Sequence, residues 1–318
     1  MSILNTPIKP RPGLAFFSLS YSRQCDRHLF SIVTAILIWS VSFVATKIAL
    51  KTFPPLSLGL IRFGLAAILL GFFLAIRKDI KKPASKDLAK LALSGFLGIT
   101  VYFSLENVGV KYSTASDAAL IVSSYPAITM LLETLFFRAK FPAISYIGVG
   151  LAVVGVYMIV SNGHSSEAAD RVLGNILLVL AGAVWACYNF ITSTVVSTYS
   201  MTTITFYQTV AGAIGFLPLV FLEIDQWSAP SADSLIAVVY LGVFCSLLAF
   251  YLYAYGLRQV PASTAVILMN LVPVFGVLFS VIILHEVIIF NQLMGGLVII
   301  IGVMLSILWA RKPVKREL

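Results

Sequence analysis

Of 318 residues, 59% are hydrophobic and 11% charged, with a mean hydropathy of +0.98; a soluble domain carries roughly 25% charge, so water is excluded as the main solvent. The net charge of +9 does not indicate nucleic acid, because the charges sit in short segments between apolar runs, as membrane topology requires. Three cysteines and three histidines lie scattered without disulfide or metal-ligand spacing, so no metal and no cofactor is expected.

Residues 1–28 read as a mixed basic and polar tail, whose run Leu14 to Leu19 is too short to span and lacks a cleavage site for a signal peptide. Ten spans follow, at about 29–49, 56–76, 90–110, 116–137, 143–161, 172–194, 201–222, 234–256, 263–284 and 289–310. Pro54, Pro55, Pro142 and Pro261 mark breaks between them. Segment 162–171 reads as the linker between residues 29–161 and 172–310, and 311–318 as a basic tail. With both termini cytoplasmic, seventeen Lys and Arg fall on the cytoplasmic side and four on the other, while Arg62 lies within a span. That asymmetry sets the expected orientation.

The stretch Gly109 to Val156 returns, shifted by 147 residues, as Gly256 to Val303. Its punctuation coincides without a gap: Pro126 meets Pro273, Gly148 meets Gly295 and Gly155 meets Gly302. Earlier in each half, at an offset of 146, Trp39 meets Trp185 and Arg62 meets Gln208. Five spans per half is an odd number, so the copies enter the membrane in opposite directions. The expected fold is an all-α polytopic membrane protein of ten transmembrane helices, built as two inverted five-helix repeats.

Polar groups inside spans are costly and mark candidate sites. Arg62 lies seven residues after Pro55, roughly 10 Å into its span at ~1.5 Å per residue. It either lines a cavity for an anionic group or ties neighbouring helices together, and Gln208 keeps the hydrogen bonding without the charge. Glu133 and Glu106 are candidate proton-coupling carboxylates, each with an interfacial reading beside it because Arg138 and Lys111 follow five residues on. Pro126 and Pro273 are expected helix kinks. Ser123 and Asn270, just ahead of them, either satisfy the freed carbonyls or contact substrate, Asn270 being the better contact. Trp39, Trp185, Tyr102, Tyr188, Tyr251, Asn189 and Ser42 complete the candidate cavity, with aromatic packing as the alternative.

The segments Trp39-Ser-Val-Ser-Phe-Val-Ala-Thr-Lys47, Arg62, and Gly109-Val-Lys-Tyr-Ser-Thr-Ala-Ser-Asp-Ala-Ala-Leu-Ile-Val-Ser-Ser-Tyr-Pro126 with its echo through Pro273 resemble the drug/metabolite transporter superfamily, specifically its EamA-type permeases. The resemblance implies two inverted five-helix halves around a central cavity, and movement of small metabolites such as amino acids, commonly outward, across a prokaryotic cytoplasmic membrane. One departure stands out: Phe137-Arg-Ala-Lys in the first half replaces the Leu284-His-Glu286 type of sequence usual there. The expected partners are a small-molecule substrate and the lipid bilayer, with a homodimer allowed and nucleic acid excluded. Lipid flipping is the second reading. An intramembrane lipid-modifying enzyme is third, because it would need clustered His or Asp that this chain lacks.

Overall fold

The computed structural model describes residues 19–77, 82–161, 166–260 and 262–310. Most of the expected N-terminal tail, the start of the linker, Pro261 and the tail 311–318 lie outside the described residues. Those described are helices and turns, without strands. Among the described residues nine helices are long and apolar enough to cross a membrane, or ten if one further, bent pair of helices counts as a single span.

Helix α1 (Leu19–Ala49) begins ahead of the expected span, since neither Gly nor Pro interrupts the chain before Leu29. Helix α2 (Pro55–Arg77) starts on a proline, whose missing N–H is no loss in a first turn. Helix α3 (Ser85–Gly95) runs through π-helical turns at Phe96–Val101 into α4 (Tyr102–Tyr112), making one span of residues 85–112.

The continuous span expected over 116–137 is two helices, α5 (Ala115–Val122) and α6 (Tyr125–Phe137), bent by 43°. Pro126 has no N–H to donate to a carbonyl one turn back, so the ladder fails there. The Ser123 and Ser124 hydroxyls instead donate to the carbonyls of Leu120 (2.5 Å) and Ile121 (2.6 Å). Pro126 thus sits in the first turn of α6, beyond the bend, rather than within a continuous kinked helix.

Helices α7 (Ala143–Val160), α8 (Ser166–Ser193) and α9 (Met201–Val220) follow. Then α10 (Ala232–Val239), π-helical turns at Tyr240–Leu248 and α11 (Ala249–Gly256) repeat the construction of the third span. Helices α12 (Ala262–Met269) and α13 (Leu271–Leu284) are interrupted at Asn270, and α14 (Phe290–Ala310) closes the described chain.

The repeat is visible in the backbone. Arg138 and His285, 147 residues apart, are the two non-glycine residues with left-handed backbone among those described, at φ 52 and 56°. Each ends its helix, and the amide after it donates back to an equivalent carbonyl: Ala139 to Glu133, and Glu286 to Ser280, both at 3.3 Å. The sharing of an uncommon conformation by two side-chain-bearing residues reflects a duplicated turn.

The halves interlock, with α2 packed on α9, α4 on α8, α1 on α11 and α13, and α7 on α14. In the last pair, Gly148 faces Gly302 and Gly155 faces Gly295. A Cβ added at Gly148 or at Gly302 would stand 2.5 Å from the other's carbonyl oxygen. Only glycine permits that approach. Residue numbers rise along one helix as they fall along the other, so α7 and α14 are antiparallel. The two halves therefore stand in opposite orientation, as the odd span count predicts.

Candidate functional site: a cavity open toward one end and a polar closure at the other

Helix α6 beyond its bend presents Tyr125, Pro126, Thr129, Met130 and Glu133 to a cavity of about 350 Å³. Those residues recur every three or four positions and so share one helix face. Trp185 and Asn189 of α8, Ile307 of α14 and Phe141 of the turn after α6 complete the lining. The cavity thus extends from the bend toward the end of the bundle that carries residues 138–142. Thr129 donates to the Tyr125 carbonyl at 2.9 Å. Glu133 and Asn189 have no side-chain hydrogen bond or ion pair among the described residues and are half-buried.

Behind the cavity lies a layer of aromatic and charged groups. Trp185 packs on Tyr102 (centroids 5.2 Å) and Tyr188 (4.9 Å). Tyr102 also meets the Tyr125 ring edge-on (centroids 6.2 Å), and Glu106 is 5% exposed. Arg62, 6% exposed, acts electrostatically on Glu106. It donates from Nε to Ser246 Oγ at 3.1 Å, and its guanidinium lies 4.6 Å from the Phe103 ring centroid and 5.1 Å from that of Phe63. A buried cation held by a hydroxyl and two aromatic faces compensates its lost hydration. On the other side, Tyr188 donates to Gln208 Oε1 (3.3 Å), whose Nε2 donates to Ser94 and Thr192, both at 2.9 Å. Arg62 and its repeat counterpart Gln208 are therefore linked through Phe103, Tyr102, Trp185 and Tyr188.

The structure brings Trp185, Asn189, Glu133 and Pro126 to the cavity, with Arg62, Tyr102, Tyr188, Gln208 and Glu106 in the layer behind. It does not bring the remaining candidates there. Trp39 Nε1 donates to the Cys245 carbonyl (3.1 Å) and its ring packs on Phe250 and Tyr253. Ser42 bonds the Trp39 carbonyl, and Ser123 is spent at the helix break. Asn270 Nδ2 lies against the Ile267 carbonyl (3.2 Å) and Met304 Sδ (3.5 Å), and Pro273 is buried in the first turn of α13. Tyr251 is 51% exposed. Tyr125, Thr129, Met130, Phe141 and Ile307 were not anticipated; stepping back from Glu133 by four and by eight residues finds Thr129 and Tyr125.

The opposite end is closed by a polar network that sequence reading missed. Asp117, fully buried, accepts from Arg171 Nε (2.7 Å), Asn175 Nδ2 (3.2 Å), Gln292 Nε2 (2.6 Å) and Ser113 Oγ (3.3 Å). Glu286 accepts the free amides of Ala115 (2.8 Å) and Ser116 (3.0 Å) at the start of α5, where a carboxylate meets the positive end of the helix. Lys47 donates to the carbonyls of Val110 (2.7 Å), Lys111 (3.1 Å) and Ser113, capping the end of α4. Glu223 repeats the anionic cap at α2, accepting from the amides of Leu56 (3.0 Å) and Ser57 (2.8 Å). Each half contributes to this closure. The signal was present at Thr114, whose hydroxyl accepts the Asp117 amide at 3.0 Å in the spacing of a helix cap. Among the described residues, no group of three His, Cys, Asp or Glu could hold a metal ion.

The EamA-like transporter family matches this chain twice, at residues 27–161 and 172–308, and the chain belongs to that family. It is similar to an Archaeoglobus fulgidus protein named "Uncharacterized transporter", 28% identical over 283 residues, 88% of this chain and 96% of that one. A Streptantibioticus cattleyicolor protein named "Probable terminal-alkyne amino-acid exporter" is 26% identical over 284 residues, 89% of this chain and 94% of its own. A solved crystal structure aligns with a TM-score of 0.61 at 18% identity, covering 90% of this chain and 98% of the other, and shares the fold.

Proposed function

We propose that this member of the EamA-like transporter family is a secondary transporter, working as an exporter, that moves small polar metabolites such as amino acids or related compounds by alternating access. The observation that carries the reading is the contrast between the ends of the bundle. A cavity with two unpartnered polar groups, Glu133 and Asn189, extends toward one end, while the Asp117 and Glu286 contacts hold the other end shut. Two inverted halves can exchange such arrangements, opening the same cavity to either side in turn.

The charge distribution supports both termini in the cytoplasm, and the archaeal and bacterial sources of the chain's relatives support a prokaryotic cytoplasmic membrane. On that orientation the cavity opens inward, which suits loading before export. The names of the chain's relatives support a transporter rather than an enzyme. Lipid flipping has less support, because the lining combines a carboxylate and an amide in a space of about 350 Å³.

The test is efflux of a pooled, isotope-labelled set of amino acids, amines and small metabolites from cells carrying the protein, beside cells carrying Glu133→Gln at matched protein level. Faster efflux of one compound class, abolished by the substitution, is expected. Efflux no faster than from empty cells for every compound would overturn the reading.

A further inference from the structure

We propose that the cavity selects a cationic amine attached to a compact, largely apolar or aromatic body, and that it discriminates against zwitterions and anions of the same size. This rests on the transport reading above and narrows it: among small polar metabolites, amines related to amino acids are favoured over the zwitterionic amino acids themselves.

The lining holds one charged group, Glu133, and no Lys, Arg or His. Arg138 and Lys140, the nearest cations in sequence, are exposed beyond the end of α6. Arg62 is already held by Ser246, Phe63 and Phe103. A substrate carboxylate therefore meets no cation in the cavity and instead faces Glu133, a like charge that repels it. An ammonium group meets the opposite situation. Glu133 offers charge-assisted acceptance, and the Asn189 amide oxygen offers a second acceptor. The indole of Trp185 and the ring of Tyr125 add aromatic faces of the kind that attract cations. The rest of the wall is Pro126, Met130, Phe141 and Ile307, with Thr129, whose hydroxyl is spent on the Tyr125 carbonyl, so the body behind the amine is apolar. Glu133 is the charge-selecting residue, and Asn189 and Trp185 position the amine and its body.

The experiment uses purified full-length protein reconstituted into liposomes. Three labelled probes share one phenyl body: phenethylamine (cation), phenylalanine (zwitterion) and 3-phenylpropionate (anion). Counterflow is measured for wild type, Glu133→Gln, Glu133→Asp and Asn189→Leu, each checked for a single size-exclusion peak. Phenethylamine is expected to move roughly tenfold or more faster than phenylalanine, the scale of one charge-assisted contact. Glu133→Gln should remove that preference, and Glu133→Asp should retain part of it, separating a charge role from a folding defect. Faster movement of phenylalanine or the anion, unaffected by Glu133→Gln, would overturn the charge assignment while leaving transport intact. A probe-independent failure, with pooled metabolites also unmoved, would overturn the transport reading and this inference with it.

Discussion

The two ends of the bundle are built from equivalent positions of a duplicated chain, yet among the described residues only one holds an ion pair with a fully buried carboxylate. At the closed end Asp117 with Gln292, and the start of α5 with Glu286, join across the halves, while Lys47 caps α4 within its own half. The repeat offsets place Ser193, Thr264, Ala139 and Ser145 at the corresponding positions of the other end, and none of these can carry an ion pair. Ser145 is fully buried with its hydroxyl unpartnered. The same substitution of chemistry on a shared backbone separates Glu133, which lines the cavity, from its counterpart Ser280, which is buried against Ser116 at 2.5 Å. Duplication supplied two equivalent scaffolds, and the side chains made one end a fastening and the other a mouth.

The strongest way to break that contrast is Asp117→Ala. It strips the buried acceptor from Arg171, Asn175 and Gln292 and leaves the guanidinium uncompensated. The loss is expected to reach about 3 kcal/mol, the lower end for a broken buried pair because Arg171 keeps 23% side-chain exposure. Thermal unfolding in detergent reads it, and an unchanged melting temperature would remove the network from any role in closure.

Gly148→Val attacks the seam that both ends share, and overpacking there should cost about 2 kcal/mol, seen as a lower melting temperature. Glu286→Gln keeps the shape and removes the charge at the start of α5. A loss of about 1 kcal/mol is expected, with weaker dependence of stability on added salt than in wild type. The smallest effects sharpen the equivalence itself. Arg138→Gly and His285→Gly each relieve a left-handed backbone, and each should raise stability by about 0.5 kcal/mol. A gain at one position with a loss at the other would show that the two turns are not energetically equivalent.

The span pattern and the inverted repeat were legible because glycine and proline record where helices bend and touch. The depth of Arg62 was legible for the same reason that makes buried charge rare. What stayed hidden depended on residues distant in sequence. Asp117 lies near a span end, where an acidic side chain ordinarily faces water, and only the approach of Arg171 and Gln292 explains its burial. The break at Ser123 and Ser124 was masked by an unbroken apolar run on either side. Trp39 and Trp185 are equivalent in sequence, yet Trp185 borders the cavity and Trp39 is packed on Phe250 and Tyr253. Equivalence under the repeat does not carry over to exposure when the two ends differ in state.

In the proposed alternating-access cycle, the glycine crossing of α7 and α14 is the fulcrum. Interchanging the halves sends the pair Gly148 and Gly302 onto Gly295 and Gly155, which is the other pair of the same crossing. A contact mapped onto itself is identical whichever way the bundle leans, so it favours neither lean. In that proposed cycle the seam can be as tight as glycine allows without slowing the rocking around it.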